Sequence, residues 1–109
     1  MLQPVSLAMD AVNASIAKGM ACESAIRILT AEANATDQHE KLSNMLRQCA
    51  VGLPSHPAPL RLCEGNADRL NAMIRSSNPA NWGAVTAAQI TTAAMAFENA
   101  AHALREGGW

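Results

Sequence analysis

Three residues of metal-binding or nucleophilic type are evenly spaced near the middle of the chain. Cys49, His56 and Cys63 lie seven residues apart, and Glu64 follows directly. Structural zinc sites usually bring their ligands in pairs about two to four residues apart, and every gap here is longer. Both cysteines also fall in apolar stripes, where a free cysteine packs as a small hydrophobic side chain. The pattern favours core cysteines over a metal site or a Cys–His nucleophile pair.

The last third of the chain offers one further candidate for chemistry. Glu98 and His102 are one helical turn apart, an arrangement that could tune the imidazole toward its charged form. Pairing of such residues on a helix surface is the commoner case. A glycine-rich phosphate-binding loop is absent from the sequence. We therefore predict no catalytic residues, no metal and no cofactor, and we expect a protein that is not an enzyme.

Composition limits the size of the core. The chain has 109 residues, which is typical of one domain, and 23 of them are alanine. Leucine, isoleucine, valine and phenylalanine together supply only 20 residues. A domain with so few large side chains buries little surface, so we expect a homodimer or a partner protein to complete the burial.

Charge and hydropathy exclude two classes of binding partner. Eight basic and nine acidic residues give a formal net charge of −1, and no run of lysine or arginine occurs. Nucleic-acid binding needs a basic footprint, so we predict no contact with DNA or RNA. The longest uninterrupted apolar stretch, Ala93 to Phe97, is far shorter than the ~20 residues of a membrane span.

The expected location is the cytoplasm. The first basic residue is Lys18, and no charged region is followed by a long apolar run, so we expect no signal peptide. Three cysteines form no close pair, and an odd number cannot all be paired within one chain. Reduced thiols fit a cytosolic protein.

The elements that would position these residues are all helical. Tyrosine is absent, phenylalanine occurs once, and alanine, the best helix former, recurs throughout. Residues 52–59 contain three of the five prolines and cannot continue a helix. We predict an all-α fold, a small bundle of four to five helices with room for a long N-terminal helix or arm. It forms a single domain, residues 1–109, whose two helical halves are joined by the proline-rich linker.

Two apolar stripes in the first half are out of phase with each other. The first consists of Val5, Met9, Val12 and Ile16, and the second of Cys22, Ile26, Leu29 and Ala33. In one straight helix Glu23 and Arg27, rather than the second stripe, would continue the first. Either the chain bends at Lys18–Gly19, or one long helix presents its two halves to different neighbours.

Capping signals and the spacing of apolar residues predict two further helices. Asp37 to Glu40 has the spacing of a capping box and predicts a helix over about 38–51, or a continuation of the first helix. A third stripe runs from Leu60 to Ile74 and stops before Pro79.

The last helix has the clearest start signal in the chain. Thr86 and Gln89 form a capping box between Val85 and Ile90 in staple positions. A seam with heptad-like spacing follows and ends at the two glycines 107 and 108. Its members are Ile90, Ala94, Phe97, Ala101 and Leu104.

Two features point toward an interaction surface. Apolar residues around Ile26, among them Ile28, spread over an arc of roughly 160°, wider than one core face requires. Either part of that arc faces a second surface, or the helix packs on two sides. Trp82 and the terminal Trp109 are of the type favoured at interfaces, although a terminal tryptophan also folds back onto its own protein.

These observations predict a protein-binding module. A small, nearly neutral, all-helical chain is similar, as a class only, to bacterial and phage accessory proteins such as antiactivators, inhibitors and secretion chaperones. We expect a regulatory inhibitor or antiactivator that occupies a partner's surface through an amphipathic helix. The residues predicted to bind are Val5, Met9, Val12, Ile16, Ile28 and Trp109. The alternative is a small-molecule sensor or enzyme with a pocket between helices that uses His102, Glu98 or a cysteine.

Overall fold

The computed structural model describes the backbone of residues 3–37, 39–76 and 87–109, and their side chains from residue 8 onward except that of residue 76. These residues form four α-helices: α1 (Gln3–Ala35), α2 (Glu40–Gly52), α3 (Pro59–Ser76) and α4 (Ala87–Glu106). A 3₁₀ turn, Leu53–Ser55, follows α2. No strand occurs in the described ranges. The prediction of a small all-α bundle with a long N-terminal helix is confirmed.

Helix α4 occupies the centre of the packing. It lies between α1 and α3, and α1 packs in turn against α2. Each seam residue predicted from spacing, from Ile90 to Leu104, is buried in this arrangement. The wide apolar arc of α1 is explained by the same packing, because α1 has two neighbouring helices, α4 on one side and α2 on the other.

Small side chains dominate the core. Ten of the buried residues are alanine and three are cysteine, whereas Phe97 is the only buried aromatic among the described residues. Buried alanines on α4 let the neighbouring helix axes approach closely, which partly offsets the small area that each alanine removes from water.

Helix α1 passes through Gly19 without interruption. Of the two alternatives left by the sequence, the single long helix is the one observed. Its second half buries Cys22, Leu29 and Ala33 against the bundle, and its first half extends beyond the bundle. At about 1.5 Å per residue the helix is roughly 50 Å long. It contributes to the elongated shape of the molecule, which measures 66 × 24 × 18 Å.

The turn between α1 and α2 is closed by a cap that differs from the predicted one. His39, rather than Asp37, is the N-cap of α2, and its Nδ1 accepts a hydrogen bond from the backbone N–H of Leu42 at 3.1 Å. The imidazole takes the role that an Asp or Ser side chain usually has in binding an unpaired N–H of the first turn. The predicted N-cap, Asp37, is therefore wrong, and the observed N-cap lies two residues later.

The other helix boundaries agree with the sequence pattern where they can be compared. Helix α3 ends at Ser76, before Pro79, and α4 begins at Ala87, immediately after the predicted cap. The cap residue Thr86, its neighbour Val85 and Trp82 lie outside the described residues. None of the described helices is long and apolar enough to cross a membrane.

Candidate protein-binding surface

The first half of α1 forms an arm, residues 3–17, that lies largely outside the bundle. Every described side chain from Ala8 to Ala17 is exposed, on all sides of the helix. The first buried residue of α1 is Ala21. At about 1.5 Å per residue the arm extends roughly 20 Å from the bundle.

One side of the arm is apolar. We define the arm face as Met9, Val12, Ile16 and Met20, whose side chains are 54–64% exposed. Three of these residues are predicted from the sequence, and Met20 is not. The signal for Met20 was its spacing, four residues after Ile16, which continues the same face by one more turn.

The two sides of the arm face carry no charge. At 100° per residue, Ala8, Ser15 and Gly19 border it on one side, with Asn13 and Ala17 on the other. The two charged residues of this stretch, Asp10 and Lys18, lie roughly 120° and 160° away around the helix. A neighbouring helix or groove could therefore approach the arm face from either side without desolvating a charge.

The arm face and the core face of α1 point in different directions. By the same geometry Leu29 lies roughly 140° around the helix from Ile16. Glu23 and Arg27, which continue the arm face toward the C-terminus, are both exposed. The apolar surface consequently ends near Met20, and the bundle does not cover it.

The base of the arm is held by a close contact with the end of α4. A Cβ atom at Gly107 would overlap the Cβ of Ala21 and would lie 2.9 Å from the backbone oxygen of Ala17. The two helices can touch here because residue 107 has no side chain.

A Schellman turn directs the C-terminal residue toward the same place. Gly108 has φ of +88°, its N–H donates to the Arg105 carbonyl at 3.0 Å, and the N–H of Trp109 donates to the Leu104 carbonyl at 3.0 Å. The left-handed conformation favours glycine at this position.

Trp109 then packs on Lys18 at the base of the arm. The indole Nε1–H donates to the Lys18 carbonyl at 3.3 Å, and the Lys18 Nζ lies 5.0 Å from the ring centroid. A cation–π contact at such a site is worth about 0.5–1 kcal/mol. The side chain remains partly exposed, and Trp109 helps to fix the arm from the side opposite the arm face.

The remaining predicted binding residues lie apart from the arm face. Ile28 is half-buried and packs against the core. Val5 is in the helical arm, but its side chain lies outside the described residues. The structure therefore brings together Met9, Val12 and Ile16, whereas Trp109 lies at the base of the arm on the opposite side of α1.

The residues considered for chemistry are divided between the surface and the core. His102 and Glu106 form an exposed i,i+4 pair with 3.6 Å between Nε2 and Oε1, and Glu98 accepts a hydrogen bond from the Asn71 amide at 2.8 Å. The three cysteines are buried and unpaired. Among the described residues, no group of three or more acidic, histidine or cysteine side chains is placed to hold a metal ion.

Two of the buried thiols interact. A hydrogen bond from Cys63 lowers the pKa of the Cys49 thiol, against the opposing effect of burial, and Asn66 adds a second hydrogen bond. The pKa of Cys63 is raised by the same hydrogen bond and by its complete burial. Both thiols lie in the core close to the connection between α2 and α3.

No protein-family model matches the chain, and no curated protein or solved structure is significantly similar to it. Any function assigned to the chain therefore depends on its own geometry.

Proposed function

We propose that this protein is a non-enzymatic binding module that inserts its arm face into an apolar groove of another protein. The observation that carries the proposal is a continuous apolar helix face, Met9 to Met20, presented on a part of α1 that the bundle leaves exposed. Helix-in-groove recognition uses apolar residues at this spacing.

The arm face supplies part of the apolar surface that specific binding requires. Complete burial of a large apolar side chain is worth roughly 1.5–3 kcal/mol, so a half-exposed side chain can still contribute about 1 kcal/mol. Four such residues provide several kcal/mol before the cost of association is subtracted. The helix is already formed and is fixed at its base, which reduces that cost.

The shape of the arm supports a regulatory role. A helix that fills a groove excludes the partner's own helix, or that of a competitor, from the same place. The protein would thereby act as an inhibitor or antiactivator in a bacterial cytoplasm, with the bundles of two copies forming a homodimer.

The decisive experiment compares two methionines of similar exposure. Met9 lies on the arm face, and Met95, 54% exposed, lies on α4 away from it. The wild type, Met9→Glu and Met95→Glu are immobilised, and native lysate is passed over each at physiological salt. We expect one dominant protein to be retained by the wild type and by Met95→Glu and to be lost with Met9→Glu, because a buried carboxylate opposes docking.

Folding controls and salt dependence complete the test. Both variants should keep the helical circular-dichroism signal and the melting temperature of the wild type, because both positions are exposed. Retention should change little between about 0.1 and 0.5 M NaCl, since the two sides of the arm face are uncharged. Equal loss in both variants, or unfolding caused by Met9→Glu, would remove the arm face as the binding surface.

A further inference from the structure

The bundle is open on one side. Helices α2 and α3 are joined by only six residues, 53–58, yet they diverge from this connection instead of packing along their length. An open groove of about 570 Å³ lies between them. It is distant in sequence and in the fold from the arm, and the proposed function does not use it.

Two cationic side chains line this groove from opposite walls. Lys41 comes from the first turn of α2, and Arg69 comes from α3. Both are exposed, and neither forms an ion pair or a hydrogen bond within the described part of the chain. In a protein of net charge −1, two unpaired cations facing one groove create a local positive potential.

None of the described residues that line the groove is acidic. The acidic residues of α3, Glu64 and Asp68, line a separate cavity on the side of α4. Asp37, one turn before Lys41, does not come within ion-pair distance of its ammonium group. Lys41 and Arg69 are therefore available to an anion in the groove.

Between the two cations and the connection at 53–58, the groove is lined by side chains that can form hydrogen bonds. Asn44, Gln48 and Asn66 contribute amides, and His56 lies near the closed end. The Nδ1 atom of His56 accepts a hydrogen bond from the Ala58 N–H at 2.9 Å, which assigns the proton of the neutral ring to Nε2. Each of these side chains can donate a hydrogen bond to a ligand oxygen.

The floor of the groove is partly apolar. Met45 from α2 and Leu62 from α3 are half-buried and line it, next to the buried Cys49. An apolar floor with convergent polar groups at the rim is typical of small-molecule sites, and the volume falls in their usual range of about 300–1,000 Å³.

We propose that the α2–α3 groove binds a small organic phosphate, with the phosphate group held between Lys41 and Arg69 and the organic part over Met45 and Leu62. A phosphate carries close to two negative charges at neutral pH and matches two cations on opposite walls. The planar guanidinium of Arg69 can form two parallel hydrogen bonds to phosphate oxygens, and Lys41 supplies a point charge.

The test is a titration of the full chain with 2-naphthyl phosphate, followed by calorimetry and by amide chemical shifts. We expect saturable binding of one ligand per chain, with shifts confined to residues 41–69, and weaker binding at high salt. Inorganic phosphate should bind more weakly because it leaves the apolar floor empty, and 2-naphthol should bind more weakly because it lacks the charge.

Single charge removals identify the site. Lys41→Gln and Arg69→Gln should each weaken binding of 2-naphthyl phosphate by about tenfold, the usual effect of losing one charge-assisted contact. Arg61→Gln is the matched control, because Arg61 is an exposed arginine of α3 that does not line the groove. All three variants should keep the wild-type melting temperature, since the three side chains are exposed.

Three results would overturn the proposal. They are the absence of saturable binding of 2-naphthyl phosphate at millimolar concentration, an equal loss of affinity in Arg61→Gln, and binding of 2-naphthol as tight as that of its phosphate. Met9→Glu should bind 2-naphthyl phosphate like the wild type, so the outcome is independent of the arm.

Discussion

Two glycines near the base of the arm have opposite roles. Gly19 lies inside α1 with open space where a Cβ atom would be, whereas Gly107 faces Ala21 and Ala17 across the contact between α4 and α1. Inside a helix glycine costs about 1 kcal/mol relative to alanine, mainly because it loses more backbone entropy. Only at Gly107 does the absent side chain allow a close approach.

The two alanine variants should therefore shift stability in opposite directions. Gly19→Ala is expected to raise the free energy of unfolding by about 0.5–1 kcal/mol. Gly107→Ala should lower it by roughly 1–3 kcal/mol, because the helix ends must separate to admit the methyl group. Urea denaturation followed by circular dichroism measures both. If Gly107→Ala left the free energy of unfolding unchanged, the end of α4 would not be tightly packed on α1.

The contact between α1 and α2 is stabilised by side chains of α2 that form hydrogen bonds with the last turn of α1. Ser43 is buried, and its hydroxyl donates to the Ala33 carbonyl at 2.9 Å. Arg47 donates to the Ser43 oxygen at 2.7 Å and to the Asn34 amide oxygen at 2.9 Å. The carbonyls at a helix end have no partner inside the helix, so this network satisfies one of them.

Removing the Ser43 hydroxyl should weaken this contact. Ser43→Ala is expected to lower the free energy of unfolding by about 1–2 kcal/mol, because the buried Ala33 carbonyl keeps only the longer hydrogen bond from the Thr36 hydroxyl, at 3.4 Å, and Arg47 loses an acceptor. Ser24→Ala, at an exposed position of α1, is the control and should be neutral or slightly stabilising. Both are measured by urea denaturation. Equal effects in the two variants would mean that water replaces the hydroxyl at no cost.

The molecule as a whole is extended and thinly packed. Its radius of gyration is 16.8 Å, compared with about 13 Å for a compact domain of this length. The arm accounts for part of the difference, and the open α2–α3 side adds to it. With mostly alanine and cysteine in the core, the bundle has limited hydrophobic stabilisation of its own.

Association through the bundle should compensate for this thin core. We expect both the wild type and Met9→Glu to sediment as homodimers in analytical ultracentrifugation, because the arm face is reserved for another protein. A monomeric wild type would contradict the homodimer. A dimeric wild type with a monomeric Met9→Glu would instead assign the arm face to a second copy of the chain.

Local patterns were sufficient for the helices and for most of the arm face. The spacing of Met9, Val12 and Ile16 predicted one apolar side of a helix. The phase difference from Cys22 and Leu29 predicted either a bend near Gly19 or one long helix with two surroundings, and the structure has the long helix. The cap of α2 was predicted wrongly, because histidine is an uncommon N-cap and Asp37 has the usual residue type.

The groove was not predicted from the sequence. Its cations, Lys41 and Arg69, are 28 residues apart on different helices, and each taken alone is an ordinary exposed residue of an amphipathic helix. Only the divergence of α2 and α3 places them on facing walls. Spacing within one helix contains no information about that divergence.

The sequence by itself determined the helices, the thin core and the face of the arm, since each depends on residues close together in the chain. The tertiary structure alone decided that α1 is unbroken at Gly19, that α4 ends against the base of the arm, and that α2 and α3 leave a groove. These features depend on contacts between distant segments, where packing of whole helices outweighs the preference of any single residue.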